Sequence, residues 1–374
     1  QCNRQTALSS YFSQLKNPPI KIGWVGSGCS TATEPTAELT HFYNITQLSC
    51  VSSSPDLQNR ERFRYYFQLV ATNLLGAHGF FGIIQHFGWR KVRLVAQDEN
   101  VFTATMDVLK DMLDKNAVEY TEVRFRSEET VPSINAFNSE TRIYVLAMDI
   151  PHARDALCEA YRRGFHYPKY VIITFGGYVR QWWEMDAPST NCTAEERAQV
   201  LLYSLAAVPS QLPREQDEYT AEPNITLSEF NSLYHEVVRR GINSQNNLEE
   251  FTDYIFPYAY QCNEATLAYA YALSKTIADL AENETLNREA AEESGLPEGE
   301  TFTMANFTYA NSAVVSRMSE HLQNTMFPGI SGNDVRFNHE GIRDIDQVRI
   351  LQYQLNDDGM CIMTHSMWLL LLLS

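Results

Sequence analysis

Ser30 follows the apolar run Ile20–Val25 and precedes a stretch of helical character. That junction is the best place in the chain for binding chemistry. Free N–H groups at a helix N-terminus favour an anion, and a serine hydroxyl adds a donor. A serine at this place is also an ordinary helix N-cap, and both readings stand. The other reactive side chains form no constellation. No Gly-x-Gly-x-x-Gly or Walker-type loop follows a predicted strand, and His-Glu-x-x-His and Gly-x-Ser-x-Gly are absent. His41, His78, His152 and His166 have no ligand-type neighbour at short spacing, so no metal centre is indicated. The pairs Glu128-Glu129 and Glu292-Glu293 read as solvated faces rather than acid/base pairs. The expectation is a protein with no catalytic residue, no metal and no cofactor.

The cysteines and sequons speak for a compartment. Seven cysteines occur, at 2, 29, 50, 158, 192, 262 and 361, and none form Cys-x-x-Cys. Their wide spacing suits long-range disulfides or buried thiols, and an odd count leaves one over. Asn44, Asn191, Asn224, Asn283 and Asn306 each open an Asn-x-Ser/Thr triplet. Such sites accept glycans only in a secretory compartment. The reading is extracellular.

The elements that would position these residues alternate. Strands are expected at 20–26, 47–51, 91–96, 118–125, 142–147, 170–174, 335–337 and 348–355. Helices are expected at 34–43, 75–87, 101–115, 150–163, 227–239, 258–280 and 312–323. The β-α order implies parallel sheets flanked by helices. Residues 209–222 read as a loop, and the acidic segment 282–300 as a mobile loop.

The chain has 374 residues, enough for two domains, and a formal net charge of -17. That acidity argues against a nucleic-acid partner, which needs a basic stripe. No run of about 18 apolar residues is present. The terminal Met367-Trp368 and five leucines read as a stray tail or the cut start of a longer helix. With Gln1 at the front, both ends look truncated.

Several segments in order carry a resemblance: 19–22 with Gly28-Cys29-Ser30, Ser52-Ser53-Ser54-Pro55 with 59–63, and Phe87-Gly88-Trp89-Arg90. Cys158-Glu159-Ala160-Tyr161, Trp182-Trp183-Glu184, Asn191-Cys192-Thr193 and 327–332 complete it. The chain resembles the extracellular Venus flytrap module of class C G-protein-coupled receptors, specifically the metabotropic GABA-B subunits. The resemblance implies a two-lobed, periplasmic-binding-protein-like α/β fold that signals by lobe closure at the outer face of the plasma membrane. Lobe 1 would take 1–70 and 207–330, lobe 2 would take 71–206 and 331–357, and 358–374 would be a tail. The strand and helix with which the family's first lobe opens have no counterpart here.

The resemblance also implies disulfides Cys2–Cys29 and Cys158–Cys192. Cys50 and Cys262 are then read as buried thiols, falling in a strand and a helix. For the ligand, Ser30 and Ser53 match the serines that hold the carboxylate in the GABA-binding subunit. Val70 stands where that subunit has His, Asp149 where it has Tyr, and Gly177 where it has Trp. Its ammonium-binding Glu falls near Tyr258. Val70, Asp149 and Trp182-Trp183-Glu184 look instead like the partner subunit, which binds no GABA. Asp149 is kept as an alternative ammonium partner. Phe12 and Leu15 fall where family members pack lobe 1 against lobe 1, although an apolar pair at this spacing is also ordinary helix core. The implied partners are a second receptor subunit, an amino acid such as GABA, and a heterotrimeric G protein through a membrane region. The competing readings are the ectodomain of a natriuretic-peptide-type receptor guanylyl cyclase and a secreted amino-acid-binding protein.

Overall fold

The computed structural model describes residues 3–72, 74–126, 128–129, 135–175, 178, 181–185, 191–209, 220–221, 224–242, 258–331, 334–345, 347–357 and 359–370. The chain divides into two compact units, Gln1–Ala71 with Gln211–Asp344, and Thr72–Ser210 with Ile345–Ser374.

The first unit opens with α1 (Arg4–Lys16), β1 (Gly23–Val25), α2 (Ser30–Ala37), β2 (Thr46–Ser49) and β3 (Tyr66–Gln68). The second takes α3 (Leu74–His86), β4 (Lys91–Gln97), α4 (Asn100–Lys115), β5 (Glu119–Phe125) and β6 (Ile143–Ala147). It continues with α5 (Ile150–Arg162), β7 (Val171–Phe175), α6 (Ala194–Leu201) and β8 (Leu205–Pro209). The chain returns to the first unit with β9 (Thr220–Ala221), β10 (Ile225–Thr226), α7 (Leu227–Ile242) and α8 (Ala259–Glu282). There follow α9 (Glu284–Glu293), α10 (Ser312–Gln323), β11 (Phe327–Pro328) and β12 (Asp334–Val335). It ends in the second unit with β13 (Gln347–Leu355) and β14 (Cys361–Leu370).

In the first unit β1, β2 and β3 form a parallel sheet in that order. In the second, seven strands run β14-β13-β8-β7-β6-β4-β5. The segment from β8 to β5 is parallel, and β13 and β14 add antiparallel strands at one edge. Val92, Leu94, Val95 and Ala96 in β4 and Tyr144 to Ala147 in β6 are all fully buried. Such buried runs, broken in β4 only by Arg93, which donates to Ala136 O at 2.7 Å, mark strands covered on both faces. Helix α4 turns Met106, Leu109 and Leu113 inward, at the helical period. Helix α3 lies so close to the sheet that a methyl at Gly79 would sit 2.7 Å from Ala207 Cβ and 2.8 Å from Val348 Cγ1. In the first unit the small residues Ala265, Ala268 and Ala272 of α8 let it pack against Leu48 and Phe67. A methyl at Gly23 would meet the Tyr269 hydroxyl at 1.9 Å, so a larger residue would force the Tyr269 ring to move.

Four sequence expectations are corrected. The segment read as a mobile acidic loop holds α9. Asn283 caps it by accepting from Leu286 N at 3.0 Å, Ala290 and Ala291 are buried, Glu284, Glu289 and Glu292 face solvent, and Glu293 accepts from Ala313 N at 3.0 Å. The terminal segment read as a tail pairs with β13, from Leu355↔Cys361 to Gln347↔Leu370, with one register shift between Ile350 and Leu351. Pairing satisfies a strand edge that would otherwise stand open. Residues 331–344 belong to the first unit rather than the second. There Gln68 N donates to Gly341 O at 2.9 Å and Arg343 N to Gln68 O at 2.7 Å. Finally, Cys50 and Cys262 are not thiols but a disulfide, with Cα atoms 4.9 Å apart. The packing of α8 on the sheet brings the two together.

Cys158 and Cys192 are also disulfide-bonded, linking α5 to the residue before the α6 cap. Cys29 is disulfide-bonded, and Cys2 lies outside the described residues. Cys361 is a buried free thiol whose pKa burial pushes up to about 11. Helix α6 went unpredicted although Thr193 and Glu196 form a capping box ahead of it, a legible signal. Among the described residues no helix is long and apolar enough to cross a membrane, and no cluster could hold a metal ion.

Candidate ligand-binding site

The carboxyl ends of β1 and β2 open side by side, in register Val25↔Leu48. Ligands of parallel α/β sheets settle at such ends. Two hydroxyl-rich segments emerge there: 26–33, leading into α2, and 50–54, leading out of β2. They are laced together. Ser27 Oγ and Thr33 Oγ1 lie 2.7 Å apart, and Thr33 Oγ1 and Ser52 Oγ 2.6 Å apart. Ser49 Oγ donates to Ser27 O at 3.1 Å, and Gln47 Nε2 to Gly26 O at 2.9 Å.

Ser30 is central to this lattice. It is not the N-cap of α2: that place is held by Cys29, which makes no side-chain cap bond. Ser30 Oγ instead accepts from Ser53 N at 3.3 Å and Ser54 N at 3.1 Å. Both lone pairs of the hydroxyl are thereby used, and its proton is left to give away. Ser53 is half-buried, and its own hydroxyl makes no recorded bond among the described residues. Two hydroxyl protons beside the positive end of a helix suit a carboxylate oxygen. The lattice members Ser27, Thr33, Ser49 and Ser52 were not singled out from the sequence. Hydroxyl-rich loops are too common for their spacing to be read as a network.

The other candidates fare differently. Val70 is buried, and its carbonyl accepts from Gln68 Nε2 at 2.8 Å, so its side chain offers a ligand no proton. Tyr258 stands at the N-cap position of α8, and its carbonyl accepts from Cys262 N at 2.9 Å. The Cys50–Cys262 bond thus brings that first turn of α8 to the end of β2, where the serine lattice begins. Gly177 lies outside the described residues.

Asp149, in the second unit, caps α5. Its Oδ1 accepts from His152 N at 3.0 Å and faces His152 Nδ1 at 2.7 Å. Its Oδ2 accepts from Gln97 Nε2 at 3.2 Å, and its own N–H donates to Gln97 Oε1 at 2.9 Å. Both carboxylate oxygens thus have partners within the second unit, while the side chain remains 40% exposed. Trp182 and Trp183 are equally structural: both are buried in the core of the second unit. Phe12 is 38% exposed on α1, while its neighbour Tyr11 is buried against Trp24. The inward face of α1 is therefore set by Tyr11, and Leu15 is half-buried.

The family profile described as receptor family ligand binding region matches residues 1–356. The chain belongs to that family. It is 28% identical over 344 residues to the mouse gamma-aminobutyric acid type B receptor subunit 1, covering 92% of this chain and 33% of that protein. Subunit 1 of Caenorhabditis elegans is 26% identical over 356 residues, 95% of this chain and 36% of its own length. Human subunit 2 is 24% identical over 196 residues, 51% of this chain and 21% of its own length. The chain thus spans about a third of the length of the subunit 1 relatives. These relatives are receptors, not enzymes, in keeping with the lack of any catalytic motif.

Proposed function

We propose that the chain is the extracellular region of a GABA-B-like class C receptor, a ligand-sensing or dimer-partner domain that signals by closure of its two units. Closure would shift an existing open/closed equilibrium. Between the two roles, one observation supports the partner role: the Asp149 carboxylate already accepts from the start of α5 and from Gln97, so it would be a shared rather than a dedicated partner for an ammonium. The serine lattice can hold a carboxylate, yet the ammonium of GABA meets no dedicated anion among the positions that the family would use. Phe12 and Leu15 supply an apolar face on α1 for a second subunit.

Calorimetric titration tests this. GABA is expected to give no saturable heat up to about 1 mM, an affinity weaker than about 4 kcal/mol. A micromolar isotherm that Ser53→Ala abolishes would overturn the partner role. Ser53→Ala is the cleaner variant, because Ser30→Ala also strips two backbone N–H groups of their acceptor.

An extracellular chain should carry glycans, and the structure ranks its sequons. Asn191, Asn224 and Asn283 are exposed. Asn283 and Asn306 use Oδ1 as acceptor, for Leu286 N and Thr303 N, which leaves Nδ2 free. Asn44 is half-buried, and its Nδ2 donates to Tyr309 O at 2.9 Å. Glycopeptide mass spectrometry of secreted protein should find 191, 224, 283 and 306 occupied and Asn44 bare. Full occupancy of Asn44 would show that the Tyr309 contact forms only after modification, or not at all.

A further inference from the structure

The loop 51–54 is held in an unusual way. Val51 N and Ser52 N both donate to Ser49 Oγ, at 3.4 and 3.0 Å. Ser53 N and Ser54 N both donate to Ser30 Oγ, at 3.3 and 3.1 Å. Four successive backbone donors therefore end on two serine hydroxyls, and none of these bonds reaches a backbone acceptor. Each such bond is weak against competition from water. Hydroxyl bonds alone would leave the loop free to open locally. The residue just before the loop is Cys50, 5% exposed and packed among Leu48, Phe67, Leu69 and Ala265. Its disulfide reaches across 212 residues of sequence to the first turn of α8. Two residues further on, Glu264 of that helix is itself fixed, accepting from Ser331 N at 2.8 Å and pairing with Arg343.

We infer that the Cys50–Cys262 disulfide is a positioning clamp for the serine loop. It fastens the start of the loop to the rigid first turns of α8, so that Ser53 stays beside Ser30. Cys50 and Cys262 touch no ligand; they act through the loop. The meaning of the clamp for binding rests on the reading of this loop as a carboxylate rim, whereas its mechanical effect does not.

Amide hydrogen exchange on the full chain tests it. The pair Cys50→Ser/Cys262→Ser is compared with Cys158→Ser/Cys192→Ser, which removes a disulfide of the second unit. A second clamp variant, Cys50→Val/Cys262→Ala, keeps the site apolar in case serine disturbs the core. Loss of the clamp should speed exchange at 51–57 by about tenfold or more, with α10 unchanged. Loss of the other disulfide should leave 51–57 as it was. Unchanged exchange at 51–57 in both clamp variants would overturn the inference. So would loss of protection throughout the first unit, α10 included, because the disulfide would then be a general support. The measurement contains no ligand. A chain that binds no carboxylate would remove the rim reading and leave the clamp to stand on its own result.

Discussion

Replacing Arg343 by Met is expected to destabilise the first unit by about 3–5 kcal/mol, the usual consequence of stranding one member of a buried ion pair. The side chains of Arg343 and Glu264 are both completely buried. Glu264 accepts from Arg343 Nη1 and from Ser331 N, while Arg343 Nη2 donates to Ser331 Oγ at 2.9 Å. The pair is thus tied at two points to the turn after β11. Through its backbone, Arg343 is also tied to Gln68 at the end of β3. Without the guanidinium, the Glu264 carboxylate keeps a single N–H donor in a site that water does not reach. It would have to take up a proton or open the core. The double variant Arg343→Met/Glu264→Gln removes the stranded charge and keeps an acceptor for Ser331 N. It should recover more than half of the loss. Urea unfolding read by exchange in α8 and α10 measures both. A loss under about 1 kcal/mol for Arg343→Met would show that the carboxylate finds water after all.

Trp182→Ala should cost the second unit about 3–5 kcal/mol, as large aromatic deletions from close-packed cores do. Trp182 is fully buried. Its ring meets Tyr178 at 4.8 Å and Trp183 at 6.2 Å, both edge to face. Its Nε1 donates to the Tyr353 hydroxyl at 3.2 Å, which joins the loop after β7 to the middle of β13. The cavity cannot collapse easily, because the backbone that follows Trp182 is pinned. Arg197, itself buried, donates to Trp183 O at 2.6 Å, Cys192 O at 2.8 Å and Met185 O at 3.1 Å. Trp182→Phe keeps most of the volume and loses the Tyr353 bond, so its cost should fall below half that of alanine. Thermal unfolding of the second unit, followed by exchange in β6 and β7, measures the series. Equal costs for the two variants would assign the effect to the hydrogen bond rather than to the cavity.

The core elements were readable where one face of an element decides its fate. Helix α4 announces itself by Met106, Leu109 and Leu113, and strands β4 and β6 by apolar runs too short for helices. Helix α9 was missed because composition outweighed pattern. Its glutamates suggested a solvated loop, while the buried Ala290 and Ala291 are too small to raise an apolar signal. The terminal strand was missed because an apolar end looks alike whether it pairs with an edge or continues into a membrane helix. The pairing of 361–370 with β13 depends on which edge of the sheet is open, and that is set by the tertiary structure.

The candidate site divides along the same line. Ser30 and Ser53 could be named from residue type, position and family resemblance. That the loop donates its N–H groups to Ser30 could not, since the bond joins residues more than twenty positions apart through side chains of free rotation. That Asp149 caps its own helix could not be named either, because a carboxylate in sequence carries no record of its partners.

The order of strands and helices, the absence of catalytic motifs and the membership of a receptor family were set by local pattern and residue identity, because periodicity and motif are properties of neighbours in the chain. Three matters were decided only by packing: the joining of Cys50 to Cys262, the burial of Glu264 against Arg343, and the commitment of Asp149 to its own helix. The first two depend on which distant segments share a core. The last depends on the geometry of one helix start, which the sequence permits but does not impose.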